Sequence, residues 1–263
     1  MELYKVNAFC KDIFSGNPAA VCLLEHWPED ELMQNIAAEN NLADTAFCVR
    51  EKDHYHIRWF TPLVEVNLCG HATLAAAYVL FDQKGYSRDT IVFTSRSGEL
   101  KVTKTETLLT LDFPADDWER IELNDEMYRW FSTKPIEAYR GKTDYLLIFS
   151  SEAEIENIVA NLPALERLKE VRGVIVSAKG NTVDFVSRFF APQSGITEDP
   201  VTGSAHTTLT QYWSRKLGKE ELTAVQLSAR KGYLYCKDEG RRIKISGRAK
   251  IFLVGQIEET IFF

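Results

Sequence analysis

One pattern occurs twice in this chain, in the same order, and that constrains the fold more than any other feature. Arg58-Trp59-Phe60-Thr61-Pro62 returns as Arg188-Phe189-Phe190-Ala191-Pro192. Glu65 to Ala72, EVNLCGHA, returns as Glu198 to Ala205, EDPVTGSA, and Arg96-Ser97-Gly98-Glu99-Leu100 returns as Arg230-Lys231-Gly232-Tyr233-Leu234. The copies are separated by close to half of the 263 residues, so the economical reading is two homologous domains, 1–115 and 116–263. The acidic, turn-rich stretch Asp112 to Glu126 joins them. Residues 251–263 are apolar enough to pair as a strand and to cross back to the first domain.

Each half reads as strands around one helix. His54 to Phe60 alternates with period 2, as does Asp184 to Phe189, the signature of half-buried strands. Gly70 to Phe81, GHATLAAAYVLF, is apolar on nearly every face, so this helix must be wrapped by other elements. Its counterpart, Gly203 to Leu217, keeps a narrower stripe through Ala205, Leu209, Tyr212, Trp213 and Leu217. Asp30 to Asn40 and Glu152 to Asn161 read as outer amphipathic helices. The expected class is α+β, with two mostly antiparallel curled sheets, each around a central helix.

Composition narrows the function. With 31 Lys and Arg against 38 Asp and Glu, the net charge is −7. No basic stripe is available for nucleic acid or an anionic membrane, so neither is expected as a partner. The five cysteines are scattered without a C-x-x-C pair or a His at metal-ligand spacing, which argues against a disulfide framework and against a bound metal. The start, MELYKVNAFC, lacks a long apolar run, and the longest mostly apolar stretch, Leu68 to Phe81, is interrupted by His71. A reduced cytoplasm is therefore the expected compartment.

Helix N-termini carry unpaired N–H groups and a partial positive charge, and a glycine there lets an anion approach the backbone. Gly70-His71 opens one central helix and Gly203-Ser204 the other, at matched places of the duplication, beside His71 and Asp199. The pattern predicts a pocket for a small carboxylate at the domain interface.

Five segments carry a family resemblance: Gly16-Asn17-Pro18-Ala19-Ala20-Val21, Asn41 to Phe47, Arg58 to Pro62, Cys69 to Thr73, and Glu198 to His206. In order and content they resemble the motif set of the PhzF (phenazine biosynthesis-like) family and, with the duplication, span essentially the whole chain. The resemblance implies the diaminopimelate epimerase-like fold and cofactor-independent proton transfer, as in isomerases and epimerases. It places the proton carrier at Asp44, with His71 and Asp199 in the active site and Gly203 and Ser204 on the substrate carboxylate. At an unperturbed pKa near 6.5, His71 would relay or donate a proton at neutral pH. Asp199 would either orient His71 or hold a substrate amine.

One position departs from the pattern. Isomerases of the family carry Glu where this chain has Asp44, one methylene and roughly 1–1.5 Å shorter. A proton donor misplaced by about 1 Å costs on the order of a hundredfold in rate. Either the substrate sits closer to Asp44, or the chain is no longer that isomerase. The related two-cysteine racemases put a thiol on each side of the substrate carbon. Cys69 stands at the first place, but Thr202 occupies the second, and a hydroxyl is too weakly acidic to replace a thiol. Cys69 then reads as a small buried hydrophobe, and His206 as a residue one turn from the cleft.

The leading expectation is a cofactor-independent isomerase or epimerase acting on a small carboxylate, assembled as a homodimer. The alternative is a carboxylate-binding protein that keeps the pocket without catalysis.

Overall fold

The computed structural model describes residues 1–258 and has an α+β fold rich in strands. The chain divides into two compact units, Met1–Asp112 with the described residues from Ser246 on, and Phe113–Ile245. The division falls at Asp112, and the stretch from Ser246 joins the first unit. Of 251–263, residues after 258 lie outside the described residues.

The first unit runs β1 (Glu2–Ala8), β2 (Asn17–Leu24), α1 (Asp30–Asn40), β3 (Asp44–Glu51), β4 (His54–Phe60), β5 (Glu65–Val66), α2 (Gly70–Asp82), β6 (Thr90–Ser95), β7 (Gly98–Thr105) and β8 (Leu108–Pro114). Most neighbours are antiparallel, but β2 lies parallel to β3 and β4 parallel to β6. A parallel pair needs a crossover of a dozen or more residues, and α1 and α2 supply the two. Every residue of α2 from Gly70 to Ala77 is buried. Its small side chains Ala72, Ala75, Ala76 and Ala77 let strands approach closely, and α2 touches β1, β2, β3 and β7. Met33, Ile36 and Ala37 of α1 pack with Cys22, Phe47 and Phe60.

Two local features aim β2 and β3. Gly16 has a φ of +79°, and a Cβ there would stand 2.3 Å from the Ala8 carbonyl oxygen, so the turn into β2 requires glycine. Asn41 takes the left-handed conformation and its N–H donates to the Ala37 and Ala38 carbonyls. That reversal ends α1 and leaves Asp44 as the first residue of β3.

The second unit runs β9 (Glu119–Ile121), β10 (Glu137–Arg140), β11 (Asp144–Ile148), α3 (Glu152–Asn157), α4 (Leu162–Leu165), β12 (Gly173–Lys179), β13 (Phe185–Phe190), α5 (Ala205–Leu217), β14 (Glu221–Gln226), β15 (Gly232–Asp238) and β16 (Arg242–Gly247). The ladders follow the same order as in the first unit. β11 is parallel to β12 across α3 and α4, and β13 is parallel to β14 across α5. The register corresponds as well: Phe60 faces Thr45 as Phe190 faces Val174, and Asp44 lies beside Ala19 as Gly173 lies beside Asp144. Phe93 pairs with Leu100 as Ala224 pairs with Leu234. The last described strand, β17 (Ala249–Gln256), pairs antiparallel with β1 along its whole length and so belongs to the first unit.

Three expectations are corrected. The outer helix expected over Glu152 to Asn161 stops at Asn157. There the Arg188 guanidinium takes the Ile155 and Ile158 carbonyls, at 3.3 and 2.9 Å, and a separate short helix opens at Leu162 with Pro163 in its first turn. The second central helix starts at Ala205, with Gly203 and Ser204 forming a turn ahead of it. The join is partly strand, because β9 pairs with β10. No helix among the described residues is long and apolar enough to cross a membrane.

Candidate active site

The repeated motifs build the same clamp twice. Arg58 donates through Nε and Nη2 to the two oxygens of Glu65, each at 2.8 Å, and lies over the Phe60 ring. Arg188 does the same to Glu198, at 2.7 and 2.8 Å, over Phe190. Each bidentate pair ties a strand end to the loop that enters the central helix, which fixes where that helix begins. In the first turn of each helix a side chain bonds back to a carbonyl ahead of the helix. The Thr73 hydroxyl donates to the Cys69 carbonyl at 2.6 Å, and His206 Nδ1 lies 2.9 Å from the Thr202 carbonyl.

In the first unit the helix start carries a buried cluster. Cys69 precedes α2 in extended conformation and contributes no side-chain cap. Its Sγ lies 3.4 Å from His71 Nδ1, and His71 Nε2 lies 3.7 Å from Asp44 Oδ2. Asp44, Cys69 and His71 are all under a tenth exposed. Burial pushes the His71 imidazole down to about 3, so it stands neutral at pH 7. This corrects the expectation built on an unperturbed histidine: His71 stands as a neutral imidazole 3.7 Å from the Asp44 carboxyl. Cys69 is likewise more than a small hydrophobe, since it supplies a polar contact to the imidazole.

In the second unit the corresponding loop is braced differently. The Thr202 hydroxyl donates to Asp199 Oδ2 at 2.6 Å. Gln226, fully buried on β14, accepts from the Thr202 N–H at 2.9 Å and donates to the Asp199 carbonyl at 2.7 Å. Gly203 and Ser204 follow at the mouth of α5, and the Ser204 hydroxyl accepts from Arg172 Nη1 at 2.9 Å. His206 is fully buried beside Phe185, and burial lowers its imidazole to about 4. It braces the start of α5 from inside.

The structure thus collects Asp44, Gly70 and His71 in the first unit, and Asp199, Gly203 and Ser204 in the second. Sequence reading missed Gln226 and Arg172, which carry no motif and meet their partners only through the ladders. It also set metal binding aside on spacing alone, whereas folding brings donor atoms of Asp44, Cys69 and His71 within 4.8 Å of one another. A carboxylate, a thiol and an imidazole form a set that could hold a zinc-like ion. All five cysteines are buried thiols outside any disulfide.

Comparison with known proteins places this geometry. A family model described as phenazine biosynthesis-like protein, PhzC-PhzF, matches residues 6–255. An uncharacterized isomerase of Pseudomonas aeruginosa is 49% identical over 258 residues, covering 98% of both chains. The crystal structure of a PhzF-family phenazine biosynthesis protein from Enterococcus faecalis superposes with a TM-score of 0.95 at 47% identity, again covering 98% of each chain. A probable proline racemase from Agrobacterium radiobacter shares the fold alone, with a TM-score of 0.67 at 9% identity over 99% of this chain and 94% of that one. Motif order, doubled architecture and whole-length similarity agree: the chain belongs to the PhzC-PhzF, phenazine biosynthesis-like, family.

Proposed function

We propose that this protein is a cofactor-independent isomerase that moves a proton on a small carboxylate-bearing substrate, with Asp44 as the group that takes and returns the proton. The observation that carries this reading is the buried Asp44–His71 pair, 3.7 Å apart, at the start of the enclosed helix α2. Relatives across the full length support it, since that of Pseudomonas aeruginosa and one of Halalkalibacterium halodurans at 40% identity both bear the name isomerase.

The chemistry follows from the groups present. Asp44 removes a proton from a C–H made acidic by an adjacent unsaturated or carboxyl group, and the bonding pair stays on carbon as an enolate-like anion. Neutral His71 holds the Asp44 carboxyl in place, and backbone N–H groups at Gly70 offset the developing negative charge. The Asp44 carboxyl exchanges its proton with solvent between the two steps and then delivers a proton to another carbon on the same face. Inversion at one carbon needs a second acid–base group opposite the first. With Thr202 standing where a second thiol would be, a shift between two carbons is the better match. To Asp199, Gly203 and Ser204 we assign substrate binding, the glycine and serine at a carboxylate. We further infer a homodimer in the cytoplasm, the latter in keeping with five thiols outside any disulfide.

The test is solvent exchange. The purified protein is incubated in D2O with small amino acids, hydroxy acids and dihydroaromatic carboxylates, and each compound is weighed by mass spectrometry. The reading predicts uptake of one deuteron into at least one compound by the wild type and none by Asp44→Ala. Uptake that persists undiminished in Asp44→Ala would overturn it.

A further inference from the structure

The first unit carries its carboxylate at the opening residue of β3, beside the start of α2. The register of the second unit puts Gly173 at that same ladder position, next to Asp144 on β11. No side chain fits there: a Cβ on Gly173 would meet the Phe189 ring at 2.3 and 2.8 Å. The charge is instead supplied one residue earlier, by Arg172, whose guanidinium lies over the Phe189 ring with its central carbon 5.1 Å from the centroid. Arg172 Nε and Nη2 grip the two oxygens of Asp144 at 3.0 and 2.5 Å, and Nη1 reaches the Ser204 hydroxyl at the mouth of α5. An acid at the helix start of one unit is thus answered by a guanidinium at the helix start of the other.

We propose that Arg172 is a further substrate-binding residue beside Ser204, one that sets the preference for an anionic ligand. Three features carry this. Asp144 is buried, so the guanidinium is held in one orientation and little rotamer freedom is lost when a ligand arrives. The backbone is pinned on both sides, with the Arg172 N–H donating to the Thr143 carbonyl at 2.7 Å and the Ser194 hydroxyl donating to the Arg172 carbonyl at 3.1 Å. Because the Ser204 oxygen accepts from the guanidinium, its own hydrogen is directed elsewhere, which makes the serine a donor polarised toward an anion. The Arg172 side chain remains 37% exposed, so the cationic edge stays within reach of a solute. This subsite deepens the isomerase reading, since it supplies the carboxylate anchor that reading requires, and it rests on it.

Oxalate is a suitable probe because it is a small planar carboxylate with no reactive C–H. The full chain, labelled with nitrogen-15, is titrated with sodium oxalate at constant ionic strength while the backbone amides of Gly203 and Ser204 and the Arg172 Nε–H are followed. The wild type should show saturable shifts centred on these groups. Arg172→Met should weaken the apparent affinity by about tenfold or more, as expected for loss of a charge-assisted pair. Arg172→Lys should fall between the two, because an ammonium keeps the charge and still neutralises Asp144 but cannot fork to Asp144 and Ser204 together. It also keeps the test decisive if the methionine variant fails to fold. Arg140→Met, which removes a guanidinium bound to Tyr145 and the Glu170 carbonyl, should leave oxalate binding unchanged. Oxalate affinity within twofold of wild type in Arg172→Lys would overturn the subsite, as would unsaturable shifts scattered over surface cations. The Asp44→Asn variant separates the two claims. It should bind oxalate normally while losing deuterium exchange, so failed exchange chemistry and a failed anion subsite give different results.

Discussion

The two helix starts share their scaffolding and differ in their chemistry. Both are set by an arginine–glutamate fork, Arg58–Glu65 and Arg188–Glu198, and by a side chain bonding back to the carbonyl ahead of the helix. Onto this common frame the first unit adds Asp44, Cys69 and His71, groups able to move protons. The second adds Asp199, Thr202, Ser204 and Arg172, groups able to hold an anion or an amine. The frame is present twice, whereas the side chains set around it differ. The lesson is that matched positions in a repeat report the architecture, whereas mismatched ones report the chemistry.

The forks offer the largest test of this comparison. Removing one arm of a mostly buried ion pair leaves a stranded charge, which costs about 3–5 kcal/mol. Arg58→Met should fall below this range, because Arg96 Nη1 still reaches Glu65 at 2.7 Å, and Arg188→Met at its high end, because Arg188 also holds the Ile155 and Ile158 carbonyls that end α3. Urea unfolding of the two variants checks this, and equal losses would show that those carbonyls find other partners at no cost.

The buried histidines give a somewhat smaller effect with a definite sign. Both are held below their unfolded value near 6.5, His71 at about 3 and His206 at about 4. The unfolded chain therefore binds more protons than the native one in this window. Stability is full above pH 6.5 and declines as the pH falls toward 4, by about 3 kcal/mol per histidine at most. His206→Gln should flatten the acid side of the stability profile by about that amount while leaving the first unit's cluster intact. A profile as steep as the wild type would mean that His206 is reached by water in the native state.

A smaller effect is expected at Thr73. Thr73→Val keeps the shape of the side chain and removes the bond to the Cys69 carbonyl, which should cost about 1 kcal/mol in thermal unfolding. No change would show that the backbone bond from the Thr73 N–H to the same carbonyl suffices alone.

Much of this frame was legible before folding. Strict alternation over His54 to Phe60 coincides with β4, and the amphipathic run Asp30 to Asn40 coincides with α1, because in both the burial pattern is local and periodic. The enclosed helix was readable from its alanines. What could not be read depends on partners distant in sequence. The end of α3 is set by Arg188, and the start of α5 gives way to a turn at Gly203 and Ser204. At the site, Asp44, His71 and the helix glycines stand out through their motifs. Arg172 does not, since its meaning comes from Asp144 on one strand, Ser204 on a helix mouth and a glycine that cannot bear a side chain. The low imidazole value of His71 was also hidden, because burial on every side is a property of the wrapped helix and not of the residue.

The division of labour between the two helix starts rests on Asp44 being the proton carrier and Cys69 a bystander to the transfer. Deuterium uptake from D2O, measured side by side for wild type, Asp44→Ala, Asp44→Glu and Cys69→Ala on the same substrate, tests that most directly. The account predicts a loss of at least about a hundredfold in Asp44→Ala and a rate within a few-fold of wild type in Cys69→Ala. Asp44→Glu should retain exchange and shift the preferred substrate toward one seated farther from β3. Exchange abolished in Cys69→Ala but unaffected in Asp44→Ala would contradict the account and assign the chemistry to the thiol.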